Sequence, residues 1–273
     1  MALTLKAAVG VTAPPPRPYE HDQGALDNAA AIARAYGLTV SADLLRRGPQ
    51  VAHADLVDLL VERLPPDGEG PDLVILAHGL PDARPRKIVA SYLNARTGGR
   101  AHSFALSGQG VGAPFTALRM GLAYAKAGRA RRFLLCALDQ TTLPHRDPVV
   151  DGNGLGDAGA LLAFGPGPGR GLAVGDAGQC HDGIAARLAA LVTDPGGTLL
   201  VLGPWADPSV AGATSTACHR VAPGAHCTGV WLALAEHAER WARDYATVLL
   251  HDGDPRSGAH FLAVLRSDGG PAQ

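Results

Sequence analysis

The sequence is poor in the residues that most often announce a large-ring core, a nucleic-acid partner or a membrane. Aromatic side chains make up 5% of the 273 residues, so the core must be closed by Ala, Val and Leu packed tightly rather than by large rings. Neither sign of charge dominates: 24 Lys and Arg stand against 25 Asp and Glu. That balance offers no basic face for nucleic acid or for an anionic membrane. No apolar run reaches the roughly 18 residues a membrane helix needs. The N-terminal stretch MALTLKAAVGVTAPPP lacks the basic segment and long apolar run of an export signal. The 4 cysteines (Cys136, Cys180, Cys218 and Cys227) have no metal-type spacing, as expected of free thiols in a reducing compartment. A cytoplasmic protein is the expectation.

What the chain does contain is apolar residue (47%) and glycine (35 residues), enough for a sizeable core joined by tight turns. Residues 22–37 and 53–64 place apolar side chains at helical spacing, the second ending before Pro65-Pro66. The run DLVILAHG (72–79) has few polar interruptions and reads as a strand buried on both faces. A short strand ending in Phe104-Ala105-Leu106 leads through Ser107 and a Gly-rich turn into a helix over 111–127, striped by Val111, Phe115, Leu118, Leu122 and Ala125. Strands over 132–140 and 159–165 follow. The second half repeats the order: a strand at 197–205, an irregular loop, a helix over 229–243, and strands at 246–254 and 258–267. FLLCALD…GALLAFG is mirrored by TVLLHDG…GAHFLAVL, an internal duplication. The expected division is 1–168 and 169–273, two halves of one compact unit, linked by the Gly/Pro-rich stretch 166–171.

These segments resemble the β-ketoacyl-acyl-carrier-protein synthase III branch of the thiolase fold. The resemblance is carried by DLVILAHG, by FALSGQG leading through a buried helix to AGRARRFLLCALD, by GNGLGDAGALLAF with Gly156, Asp157, Gly159 and Ala160, and by the closing TGVWLALAEHAERWARDYATVLLHDGDPRSGAHFLAVL. It implies an α/β fold, a thiolase-like duplication of layered helices and sheets. It also implies acyl-carrier-protein or coenzyme A thioesters as substrates, no other cofactor, and a dimer. The departures concern chemistry. The family attacks thioesters with a Cys at the start of the buried helix, where this reading places Ser107. Its decarboxylating His should fall just after TLLVLGPW, where Trp205, Ala206, Asp207 and Pro208 stand, and its Asn at Gly224, with His226 two residues later; Trp205 and Gly224 cannot stabilise a developing negative charge. The chain is also short for the family.

Ser107 is the candidate nucleophile, and a Ser hydroxyl needs an adjacent base. His145, His226 and His251 are the candidates for that base; the alternative is that Ser107 is a small polar filler left after catalysis was lost. GQGVGA (108–113), with Asp139 following, formally matches a dinucleotide-binding turn and leaves an NAD(P)-dependent oxidoreductase as a further alternative. Cys218-His219 and His226-Cys227 lack the geometry of closed zinc sites, and no metal is expected. The favoured reading is a ketosynthase III-like protein that does not condense alone. It would act as a homodimer or beside an active ketosynthase and its acyl carrier protein. A Ser107-dependent acyltransferase or thioesterase is the alternative.

Overall fold

The computed structural model describes residues 3–66, 69–84, 87–167 and 171–267. The first half runs β1 (Thr4–Thr12), α1 (Gln23–Ala35), α2 (Ala42–Arg47), α3 (His53–Arg63), β2 (Leu73–His78), α4 (Val89–Arg96), β3 (His102–Leu106), α5 (Ala113–Lys126), β4 (Phe133–Asp139) and β5 (Ala158–Gly165). The second runs β6 (Leu172–Cys180), α6 (Ile184–Leu191), β7 (Thr198–Leu202), β8 (Ala217–Arg220), α7 (Gly229–Asp244), β9 (Thr247–Gly253) and β10 (His260–Ser267). The strands lie in the order β3-β2-β4-β5-β1-β6-β10-β9-β7-β8. Read outward from the middle, the two halves have the same order and the same directions. β2 is parallel to β3 and β4, and β7 to β8 and β9, while β5 and β10 are antiparallel to their neighbours. The duplication is therefore in the topology as well as in the sequence. The expected linker over 166–171 includes 168–170, which lie outside the described residues.

Among the described residues the two half-sheets pair through Thr4 and Ala173. Beyond that bridge they part, and α5 and α7 fill the space between them. α7 packs on β1 and β5 of the first half and on β7, β9 and β10 of the second, while α5 packs on β2 and β4 and reaches β6 and β10. Small residues allow this closeness: a Cβ on Gly121 of α5 would overlap the ring of Phe133. The helices meet where Phe115 stands edge-on to Trp231, ring centres 5.0 Å apart. This central layer is the main apolar core. α3 and α4 cover the outer face of the first half-sheet, and α6 covers that of the second.

β2 and β4 are buried almost throughout because each is covered on both faces, which is why their apolar runs were readable. β1 and β6 open the two halves yet do not stand out in the sequence. Their segments, TLKAAVGVT and LAVGDAGQC, are rich in Ala and Gly and only partly buried, so neither alternation nor an apolar run marks them.

Candidate functional site

The C-terminal ends of β2, β4, β7 and β9 and the turn before α5 converge on one face, and buried carboxylates organise it. Asp139, the last residue of β4, is 1% exposed. Its carboxylate accepts the backbone N–H of His226 (2.8 Å), Cys227 (2.9 Å) and Thr228 (3.0 Å), and the Thr228 hydroxyl (2.7 Å). Thr228 caps α7 without a side-chain bond of its own to the helix. Asp139 thus ties down the three amides that lead into that helix and sets its negative charge against the positive end of the dipole. In the second half, Asp252 of β9 accepts N–H from Trp205 (3.0 Å) and Gly253 (2.9 Å). Burial outweighs those donors and pushes its carboxyl up to about 8. Asp254 accepts the Ser257 amide and hydroxyl through Oδ2, and its Oδ1 packs where a Cβ on Gly110 would lie 2.5 Å away. Arg256 reaches Asp147 at 2.7 Å and ties the β4–β5 loop to the β9–β10 turn.

α5 starts close to where its apolar stripe put it, but Ser107 is not at that start. Ser107 follows edge strand β3 and is exposed. A 3-10 turn, Gly110–Gly112, intervenes, and the residue capping α5 is Gly112. The position at the helix N-terminus therefore belongs to Gly112 and not to Ser107. Gly112 is buried, and a Cβ built there would overlap the ring of Phe261 from β10. That ring occupies the space a nucleophilic side chain at the helix start would need. The same packing opposes the dinucleotide reading of GQGVGA: the glycines admit a carboxylate and an aromatic ring, not a pyrophosphate.

The three candidate bases are dispersed. His145 lies half-buried in the β4–β5 loop. His226 is fully buried, its Nδ1 4.0 Å from Asp139 and neither ring nitrogen hydrogen bonded. Burial, opposed by the Asp139 charge, holds its pKa below the usual histidine value. Gly79 lies against it, where a Cβ would come 2.5 Å from Nδ1. His251 donates from Nδ1 to the Phe261 carbonyl at 2.9 Å, and burial lowers its pKa to about 4. Among the described residues none of the three hydrogen bonds to Ser107. The structure does not assemble the Ser–His arrangement that a nucleophilic serine requires.

Trp205 and Gly224, which the sequence reading set against the family's His and Asn, lie on either side of the Ala225–His226 segment. The Trp205 indole donates to the carbonyls of Ala225 (3.2 Å) and His226 (3.0 Å) and stands edge-on to the His226 ring. Gly224 accepts from the Gly156 amide at 2.9 Å and has φ +126°, a conformation a side chain rarely adopts. The best-formed cavity lined by described residues, of about 470 Å³, is bordered by none of Ser107, Gly112, Trp205, Gly224, His226 or His251. Phe261 and Asp139 were the residues the sequence reading missed as organisers of this face. Asp139 ends a fully apolar strand, which is a usable signal; nothing local marks Phe261.

No protein-family model matches the sequence, and no curated protein matches it. Solved structures do match over nearly the whole chain. β-Ketoacyl-acyl-carrier-protein synthase III from Thermus thermophilus aligns with 97% of this chain and 99% of its own, at 19% identity and a TM-score of 0.63. The 3-oxoacyl-acyl-carrier-protein synthase III of Pseudomonas aeruginosa PAO1 aligns with 100% and 99%, at 15% identity and 0.65. The acyltransferase ChlB3 aligns with 98% of each, at 16% identity and 0.67. The chain has the thiolase fold of these condensing and acyl-transferring enzymes.

Proposed function

We propose that this chain is a non-condensing ketosynthase III-like subunit. It works beside an active ketosynthase in acyl-carrier-protein-dependent synthesis of fatty-acid or polyketide type. The observation that carries the reading is Phe261 standing where a side chain on Gly112 would have to be. Trp205 and Gly224 support it, because a glycine and a hydrogen-bonded indole supply neither a general base nor a donor aimed at a developing enolate. β3 lies at the end of the sheet with one edge unpaired, and a second thiolase-fold subunit adding a strand there would cover it.

The test is co-expression with an active ketosynthase III, followed by copurification and by malonyl-carrier-protein decarboxylation assays on each chain and on the pair. The isolated chain should show no turnover, and the pair should be stable through gel filtration. Turnover by the isolated chain, free of contaminating synthase, would overturn the reading. The exposure of Ser107 favours one alternative, an acyl-enzyme formed there. An acyl mass on Ser107 after incubation with acyl thioester, lost in Ser107→Ala, would establish that alternative instead.

A further inference from the structure

Residues 17–50 are not explained by the layered body. Ala33 is the only buried residue of α1, and α2 has none. A cavity of about 470 Å³ lies under them, walled by α1, α2, the start of α3 and the segment after β2. That volume suits a small organic ligand.

Among the described residues, five carboxylates line the cavity (Glu20, Asp22, Asp55, Asp58 and Asp82) against two cations, Arg84 and Lys87. Three of the five have structural work. Asp22 caps α1 through the Ala25 amide. Asp55 accepts the Ala52 amide and pairs with Arg17, and Asp58 holds Tyr92 and Arg96. Lys87 is itself engaged, its ammonium 3.3 Å from the centre of the Tyr92 ring.

Asp82 differs. Its side chain is nine-tenths buried. Oδ1 accepts the amides of His53 (3.0 Å) and Arg84 (3.2 Å), whereas Oδ2 is buried with no hydrogen-bond partner. His53 Nδ1 stands 4.0 Å from that oxygen, beyond hydrogen-bond reach. His53 is also held neutral, because burial and the neighbouring His78 lower its pKa to about 3. Burial raises the Asp82 carboxyl against the pull of its two amide donors, His78 and Arg84. An unsatisfied carboxylate oxygen in such a place costs stability until a donor or a cation reaches it. Leu26 and Ala29 of α1 and Leu45 of α2 line the same space and supply apolar surface for an aliphatic body.

We infer that the cavity beneath α1 binds a small organic cation, an amine whose ammonium is drawn to Asp82 and whose alkyl part lies against Leu26, Ala29 and Leu45. None of Ser107, Gly112, Trp205 or Gly224 lines this cavity.

Isothermal titration of the full chain with hexylamine, 1-hexanol and hexanoate, probes of one length and three charges, tests it. Hexylamine should bind at least tenfold more tightly than hexanol, and hexanoate should not bind. Asp82→Asn should weaken hexylamine at least fivefold. Ala29→Trp, a change on a sparsely packed helix, should abolish its binding by filling the cavity while leaving the chain folded by circular dichroism. Equal affinity for hexylamine and hexanol, no hexylamine binding at millimolar concentration, or binding that survives Ala29→Trp would each overturn the inference.

Discussion

The packing of Phe261 against Gly112 can be weighed by a double-mutant cycle. Gly112 has φ −74° and ψ −15°, a right-handed conformation open to any residue. Gly112→Cys therefore carries no backbone penalty, and restricting the unfolded chain returns about 0.4–1 kcal/mol. Against this, the new Cβ must displace the Phe261 ring, which is 5% exposed. Overpacking of that kind costs about 1–3 kcal/mol. The net expectation is a loss of about 1–2 kcal/mol for Gly112→Cys. Phe261→Ala alone should cost about 3–5 kcal/mol through lost burial and the cavity left behind. In the double mutant the thiol enters that cavity, so the combined loss should fall short of the sum by about 1–2 kcal/mol. Urea unfolding of the four proteins, with m values held in common, reads the coupling directly. Additivity within about 0.5 kcal/mol, or a Gly112→Cys protein as stable as the parent, would refute the idea that the ring fills the nucleophile's space. The double mutant should still not condense, because Trp205 and Gly224 remain.

Two further outcomes follow from the buried carboxylates. Asp139→Ala strands three amides at the start of α7 and should cost at least about 3 kcal/mol in urea unfolding. Asp139→Asn, which keeps one acceptor, should cost less, and equal losses for the two would mean that the cap is not what Asp139 supplies. Asp252 governs the alkaline side. The folded chain keeps its proton to about pH 8, whereas the unfolded chain releases it near 3.8. Stability therefore falls as pH rises through that window, by up to about 1.4 kcal/mol per unit. His251 has the opposite sense: it is neutral in the folded chain down to about 4, against 6.5 for the free side chain, so acidification below about 6.5 destabilises. Asp252→Asn should remove the decline between pH 6.5 and 8 and, because the opposing Asp252 contribution spans 3.8 to 8, should uncover below pH 6.5 an acid-side loss from His251 that the two groups nearly cancel in the parent. Parallel profiles for parent and variant above pH 6.5 would be the contrary result.

Much of the fold was legible because its central layers are uniform. FLLCALD and LVILAH lie between covered faces and contain nothing but strand-compatible apolar residues before their terminal Asp and His. The stripes of α5 and α7 mark helices that touch strands of both halves. The repeated order of these segments carried the duplication and the resemblance to the ketosynthase III enzymes. Trp205 and Gly224 could be set against that resemblance, since a missing imidazole or amide is a matter of residue type alone.

Other features exist only in three dimensions. β1 and β6 are strands because of where they stand, at the contact between the half-sheets, and not because of a pattern in their Ala- and Gly-rich residues. The filling of the space at the helix N-terminus, which carries Gly112 rather than Ser107, depends on a ring supplied by β10, near the other end of the chain. The candidate bases are ordinary histidines in the sequence, and burial beside Gly79 or against the Phe261 carbonyl separates them from Ser107. Asp82 is one acidic residue among 25 Asp and Glu until tertiary contacts bury it, satisfy one oxygen and leave the other bare beside a cavity. Residue type and local spacing determined which elements form and which residue types stand where the resemblance looks for catalytic groups. Close packing between distant segments decided which space remains open, because a side chain's volume and unpaired charge act only on what folding brings within a few ångströms.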